Sequence, residues 1–215
     1  MISHASPRVL AEAAKQASRA LAALPRAPKD RALTLIAEAV VDGQQSLLAA
    51  NAEDVARARE AGAEPAFVDR LALDPRRVRA MADAIREIAL LDDPVGAISE
   101  MKRRPNDLLV GRVRVPLGVI LMIYEARPNV TTDAAALCIK SGNAVLLRGG
   151  SDAQRSNAVL GEIIAGALAQ AGLPEDSVQI VPPGERDQIK ELLALTGLVD
   201  LAIPRGGAGL IRFVT

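Results

Sequence analysis

A chain of 215 residues, half of them hydrophobic, can build one large domain or two small ones. Its 26 basic and 26 acidic residues cancel, and two Phe, one Tyr and no Trp leave little to stack against bases, which argues against a nucleic-acid partner. One cysteine and one histidine, His4, argue against a disulfide framework and a His/Cys metal site, and no apolar run approaches the roughly 20 residues that span a membrane. With no basic-then-apolar leader, the sequence reads as cytoplasmic.

The first hundred residues read as helices. Ser6-Pro7 predicts an N-cap followed by proline at the first helical position, and Leu10, Ala13, Ala14, Ala17, Leu21 and Leu24 form the inward stripe. Pro25 and Pro28 are expected to end that helix. A second starts near Asp30, carries Leu33, Ile36, Ala37 and Val40 on one face, and runs on with a kink near Gly43 towards Gly62. Asp74-Pro75 opens a third, with Val78, Met81, Ala82, Ile85 and Ile88 inward. Residues 1–103 are expected to pack as helices on the rest of the chain, with solvated charged faces.

The texture changes near residue 104. "DLLVGRVRVPLGVILMIY" (107–124) alternates and then turns continuously apolar. That predicts exposed extended strands over 104–118 and a strand at 119–123 buried on both faces, as in a parallel sheet. A helix near 131–141, strand 144–148, a helix from Ser151, strand 178–181, helix 185–195, strand 199–203 and a helix from about 206 complete the series. Ser151 with Gln154 fits a capping box. The alternation predicts an α/β fold with a doubly wound, mostly parallel sheet and all strand C-termini along one edge.

Ligands of such sheets bind outside the carboxyl ends of the strands. Three ends here carry chemistry. In "IYEARPNVTTDAA" (123–135), Arg127 can clamp a carboxylate or phosphate and Asn129 can polarise an oxygen. The rival reading is an Arg127–Glu125 surface pair with Asn129 or Thr131 as an ordinary helix cap. In "AVLLRGGSDAQ" (144–154), Arg148 ends a strand, Gly149 and Gly150 permit close backbone approach, and Ser151 opens a helix whose N–H groups suit an anion. The alternative is a plain capped turn. In "LAIPRGGAGLIR" (201–212), Arg205, Gly206 and Gly207 repeat the design. Two such corners on one edge point to a single extended anionic ligand gripped between them. Neither is a G-x-G-x-x-G fingerprint, and no G-x-x-x-x-G-K-[ST] loop occurs. Cys138 lies mid-helix with Ala134 and Leu137, and reads as an inert buried thiol.

These turns, in this order, resemble the γ-glutamyl phosphate reductases (glutamate-5-semialdehyde dehydrogenases) of the aldehyde dehydrogenase superfamily. The segments 115–153 and 198–212 carry the resemblance most strongly. It implies NADPH-dependent reduction of L-glutamyl 5-phosphate to the semialdehyde in proline biosynthesis, through cysteine thiolate attack and a thioester that accepts hydride. It places Arg148, Gly149, Gly150 and Ser151 against the adenosine ribose, and Val181, Pro182, Pro183 and Gly184 beside the adenine. It places Arg205, Gly206 and Gly207 near the cofactor phosphates, and Arg127 and Asn129 near the substrate. It implies an oligomerisation arm over 104–118, a homo-oligomer, a glutamate 5-kinase partner and no resident metal. Residues 119–215 would be an incomplete cofactor core, with the nucleophilic cysteine and the catalytic domain beyond Thr215, so that this chain alone is expected to be inactive. Two other readings stay open: another member of the superfamily, or a non-catalytic nucleotide-binding or interaction module.

Overall fold

The computed structural model describes residues 6–182 and 186–214. Five helices come first: α1 (Pro7–Ala22), α2 (Arg26–Asp42), α3 (Gln44–Glu60), α4 (Pro65–Leu71) and α5 (Pro75–Leu90). Ser6 caps α1 with Pro7 in the first turn, and Asp74 caps α5 by accepting the Arg77 N–H at 2.6 Å. Leu10, Ala14, Ala17 and Leu21 of α1, and Val78, Met81, Ala82 and Ile85 of α5, are buried as their spacing predicts.

Two boundaries differ from expectation. Pro28 does not keep α2 from starting early. It sits in the first turn, where its missing N–H is no loss, so α2 begins at Arg26. The expected kink at Gly43 is a full break between α2 and α3. The short α4 gives no signal in the sequence, because seven residues hold too few repeats for a period.

Next come β1 (Ile98–Arg103) and β2 (Leu109–Val113), an antiparallel pair with an irregularity between Ser99 and Lys102, exposed along its whole length. The exposed strands therefore begin six residues before the predicted 104, at Ile98. "ISEMKR" hides its strand because neither face is apolar enough to set a period of two.

The remainder alternates: β3 (Val119–Tyr124), α6 (Pro128–Lys140), β4 (Ala144–Arg148), α7 (Gln154–Ala171), β5 (Val178–Ile180), α8 (Arg186–Ala194), β6 (Leu201–Arg205) and α9 (Ala208–Val214). The strands form one parallel sheet in the order β5-β4-β3-β6. β3 and β4 are buried and nearly continuous in apolar residues, because helices cover both faces. α6 and α7 pack on one side of the sheet and α1 on the other, where it also meets α8. α2 lies outside α6 and α7, and α5 and α3 pack beside it.

At the N-terminal ends of the strands, Asp200 accepts from the Val119 N–H at 2.8 Å and pairs with Lys15 of α1 at 2.7 Å. Two buried lysines tie the helical layer down. Lys29 pairs with Asp93 at 2.6 Å, and Lys140 of α6 pairs with Asp30 of α2 while donating to the Ala89 carbonyl at 2.7 Å. All this polar bracing leaves the opposite edge, at the C-terminal ends, to the three unusual turns.

Candidate functional site

The parallel register fixes where the two arginine–diglycine corners point. Arg148 is in register with Ile123, which is in register with Pro204; Arg205 is in register with Tyr124, the next residue. Side chains alternate along a strand, and partners in parallel register share a face. Arg148 and Arg205 therefore lie on one sheet edge but on opposite faces. The expectation of two corners gripping one ligand side by side does not hold in that form.

Each corner opens on its own hollow. Arg148 lines a groove of about 260 Å³ together with Gly150, Phe67, Ile123, Ile189 of α8 and Leu210 of α9. Arg205 and Gly206 line a second cavity, of about 330 Å³, with Tyr124, Arg127 and Val130. Glu125, at the tip of the central strand, borders both. The Arg148 guanidinium is buried at the strand end, where it donates to the Gly149 carbonyl. Burial pulls its pKa down from the ordinary arginine value, and Tyr124 opposes that.

Gly149 fills a structural need. A Cβ there would stand 2.4 Å from Asn157 Nδ2 and 3.2 Å from the Tyr124 ring, so the backbone runs tight against α7. Those neighbours form one buried network: Thr131 Oγ1 is 2.7 Å from the Tyr124 hydroxyl and donates to Asn157 Oδ1 at 2.7 Å. Thr131 is thus no helix cap, and neither is Asn129. Arg127 occupies the cap position of α6 without a side-chain bond, and Pro128 takes the first turn.

The predicted anion sites at the two helix starts are already filled by the protein's own carboxylates. Ser151 and Gln154 make no capping box, because residues Ser151–Ala153 form a 3-10 turn and α7 begins at Gln154. The α7 start is held by Asp54 of α3 instead. Asp54 is fully buried and accepts from the Ser156 N–H and Oγ, both at 2.8 Å, from the Arg155 N–H at 3.3 Å, and from Arg57 at 2.7 Å. At the other corner, Glu125 Oε1 accepts the Gly207 N–H at 2.8 Å, and a Cβ at Gly206 would meet that oxygen at 2.7 Å. Neither carboxylate announces itself locally, since Asp54 and Glu125 reach partners 102 and 82 residues away. The Arg127–Glu125 surface pair of the rival reading is absent among the described residues; the two meet only through the Arg127 N–H and the Glu125 carbonyl, at 2.8 Å.

The third hollow, of about 400 Å³, lies between the α4–α5 turn and the start of α6, and includes Arg127, Asn129 and Asp133. Asn129 Nδ2 donates to Asp133 Oδ2 at 3.2 Å. Burial raises the Asp133 carboxyl above its usual range, against the Asn129 hydrogen bond and the charge of Arg205. The signal for Asp133 is its place four residues after Asn129, one helical turn on. The structure thus places Arg127 and Asn129 along one cavity and keeps that cavity apart from the groove at Arg148. Pro183 and Gly184, predicted to flank the adenine, lie outside the described residues, as do His4 and Thr215.

Cys138 is buried in α6, and burial alone pushes its thiol up to about 12. Among the described residues no group of three metal-ligating side chains forms, and no helix is long and apolar enough to cross a membrane.

A parallel sheet wrapped in helices, with hollows at its carboxyl edge, defines an α/β protein of the kind that takes its ligands outside the C-terminal ends of the strands. The family comparison is direct: the aldehyde dehydrogenase family matches residues 4–203, and the chain belongs to that family. Within it, the likeness is to gamma-glutamyl phosphate reductases. The chain is 62% identical over 212 residues to the gamma-glutamyl phosphate reductase of Sorangium cellulosum, covering 96% of this chain and 50% of that protein. The crystal structure of gamma-glutamyl phosphate reductase from Thermotoga maritima superposes with a TM-score of 0.94 at 40% identity, covering 98% of this chain and 51% of that one. The enzyme of the same name from Saccharomyces cerevisiae gives 0.90 at 29%, covering 99% and 54%. The chain spans about half the length of the relatives it matches.

Proposed function

We propose that this chain is the nucleotide-binding part of an NADPH-dependent reductase that converts L-glutamyl 5-phosphate to L-glutamate 5-semialdehyde, a cytoplasmic step of proline biosynthesis. The groove at Arg148 carries the reading. Ile189 and Leu210 offer an aliphatic slot for a flat base, and the guanidinium at the strand end suits a ribose bearing a 2′-phosphate. At about 260 Å³ the groove fits one nucleoside half and not a whole dinucleotide. Gly150 and Asp152 continue its wall, while Ser151, Pro183 and Gly184 are assigned to the adenosine end by the family resemblance alone.

The rest of the dinucleotide then has to cross the tip of β3 to reach the Gly206–Gly207 corner and Arg205 on the other face. Glu125 stands on that path. A pyrophosphate arriving there takes the place of the Glu125 carboxylate on the Gly207 N–H. The bound nicotinamide would supply hydride, while Arg127 and Asn129 hold the substrate, the amide N–H facing the oxygen that gains charge.

Acyl transfer of this kind needs a thiolate, and the one cysteine of the 215 residues is Cys138. Buried and held protonated, it cannot serve, so this polypeptide by itself binds nucleotide without turning over substrate. The exposed β1–β2 hairpin, with Ile98, Met101, Leu109 and Val113 uncovered, fits an arm that seeks a partner chain. Calorimetric titration tests the reading: saturable NADPH binding, at least tenfold tighter than NADH, is expected. A folded chain that binds neither, or NADH as well as NADPH, overturns it.

A further inference from the structure

Behind the Arg148 corner lies a buried run of polar side chains. Tyr124 closes β3, Thr131 sits near the start of α6, and Asn157 near the start of α7. All three are buried. Buried polar groups are costly unless bonded, and apolar groups of the same shape can hold elements together equally well. Packing alone therefore does not call for this set.

The hydrogens in the run all point one way. Asn157 Oδ1 can only accept, and the Thr131 hydroxyl donates to it at 2.7 Å. That spends the single hydrogen of Thr131. At the 2.7 Å contact with Tyr124, the phenol therefore donates and Thr131 accepts. The Tyr124 oxygen is left with acceptor capacity only. It ends the run as a negative pole, on a residue that lines the groove together with Arg148.

The same groups wall in Gly149. A Cβ there would stand 2.4 Å from Asn157 Nδ2 and 3.2 Å from the Tyr124 hydroxyl oxygen, so the Gly149 peptide has no room to shift towards α7. Its carbonyl accepts from the Arg148 guanidinium. The cation thus rests on a peptide whose place is set by Tyr124 and Asn157. An arginine ordered before a ligand arrives spares that ligand the entropic cost of ordering it.

We propose that Tyr124, Thr131 and Asn157 are positioning residues for the nucleotide site. Through Gly149 and the oriented Tyr124 hydroxyl they hold the Arg148 guanidinium where it meets an anionic group on the ribose. The inference deepens the assignment of the Arg148 groove to the adenosine half of NADPH and rests on it.

The test reads NADPH against NADH, which differ only by the 2′-phosphate, in calorimetric titrations of the 215-residue chain and its variants. Tyr124→Phe keeps the ring against Gly149 and loses the oxygen. Thr131→Val keeps the side-chain shape and frees the Tyr124 hydrogen to turn towards the guanidinium. Each should weaken NADPH about fivefold or more and leave NADH within about twofold. Thr131→Ser restores the hydroxyl and should return NADPH to within about twofold of the unaltered chain. Unchanged NADPH affinity in Tyr124→Phe or Thr131→Val overturns the proposal, as does equal weakening of both nucleotides, or a Thr131→Ser variant no better than Thr131→Val. A Tyr124→Phe variant that fails to fold overturns it too, because the network would then serve the core at large. An unaltered chain that binds NADPH no better than NADH fails the groove reading itself, and the inference with it. A chain that prefers NADPH and keeps that preference in both variants sinks this inference alone.

Discussion

Asp54 and Asp133 sit in two polar regions that look alike on paper and behave as opposites. At the α3–α7 seam, Asp54 is fully buried with four donors on its two oxygens. Asn51 braces the same seam, donating to Ser156 Oγ and the Leu71 carbonyl, both at 3.0 Å, and accepting the Leu73 N–H at 2.7 Å. At the mouth of α6, Asp133 has a single donor at 3.2 Å and the charge of Arg205 acting on it. A buried charge with all its partners is structure; a half-buried one with a single donor can still take another. By that measure the helix starts singled out by their glycines belong largely to the fold, and the hollows beside them are where ligands have room.

Four changes would sharpen or break this contrast. The largest effect concerns Cys138. With its thiol pushed up to about 12, reaction with a disulfide reagent at pH 8 should run orders of magnitude slower than for a free thiol and appear only with the unfolding transition. Fast labelling of the native chain would mean the apolar layer over α6 is open. Next, Asp54→Ala should lower unfolding free energy by roughly 3 kcal/mol or more in denaturant titrations, because it orphans several buried donors at once. A loss below about 1 kcal/mol would say that the seam is not what holds α3 to α7.

Glu125→Ala should strengthen NADPH binding a few-fold, since it frees the Gly207 N–H and removes an anion beside the groove. It should also cost about 1 kcal/mol of stability as a lost cap. Weaker binding would show Glu125 to be a ligand contact and not a competitor. The smallest effect is expected at Asp133. Its carboxyl is raised in the fold above the unfolded value, so the folded state holds the proton more tightly. Its contribution to stability is present below the unfolded pKa and lost as pH rises through the folded one. Asp133→Asn should therefore leave Tm unchanged or slightly raised at pH 7, and the variant's advantage should shrink as the pH falls. A clear drop in Tm at pH 7 would place Asp133 with Asp54 as a structural carboxylate.

Much of the scaffold is legible in the chain. β4 can be placed to the residue, and α1 and α5 declare themselves through caps and a 3.6 period, because those signals are local. The three turns are legible too, since arginine and glycine at a strand end are a local pattern. What stays hidden depends on distance or parity. A one-residue offset in register sends Arg205 to the face opposite Arg148, and no motif reports register. Likewise, Asp54 and Glu125 fill helix starts that look vacant in sequence, because their partners arrive only through tertiary folding.

The Arg148 groove is the feature on which the functional account depends most. Adenosine 2′,5′-bisphosphate, the half of NADPH that would occupy it, separates that groove from everything across the sheet. Titrated calorimetrically into the chain and into Arg148→Met, which keeps the buried aliphatic stem, it should bind saturably to the first and at least tenfold more weakly to the second, with NADPH showing the same ratio. Equal affinity for both proteins, with both shown folded by near-UV circular dichroism, would contradict the account.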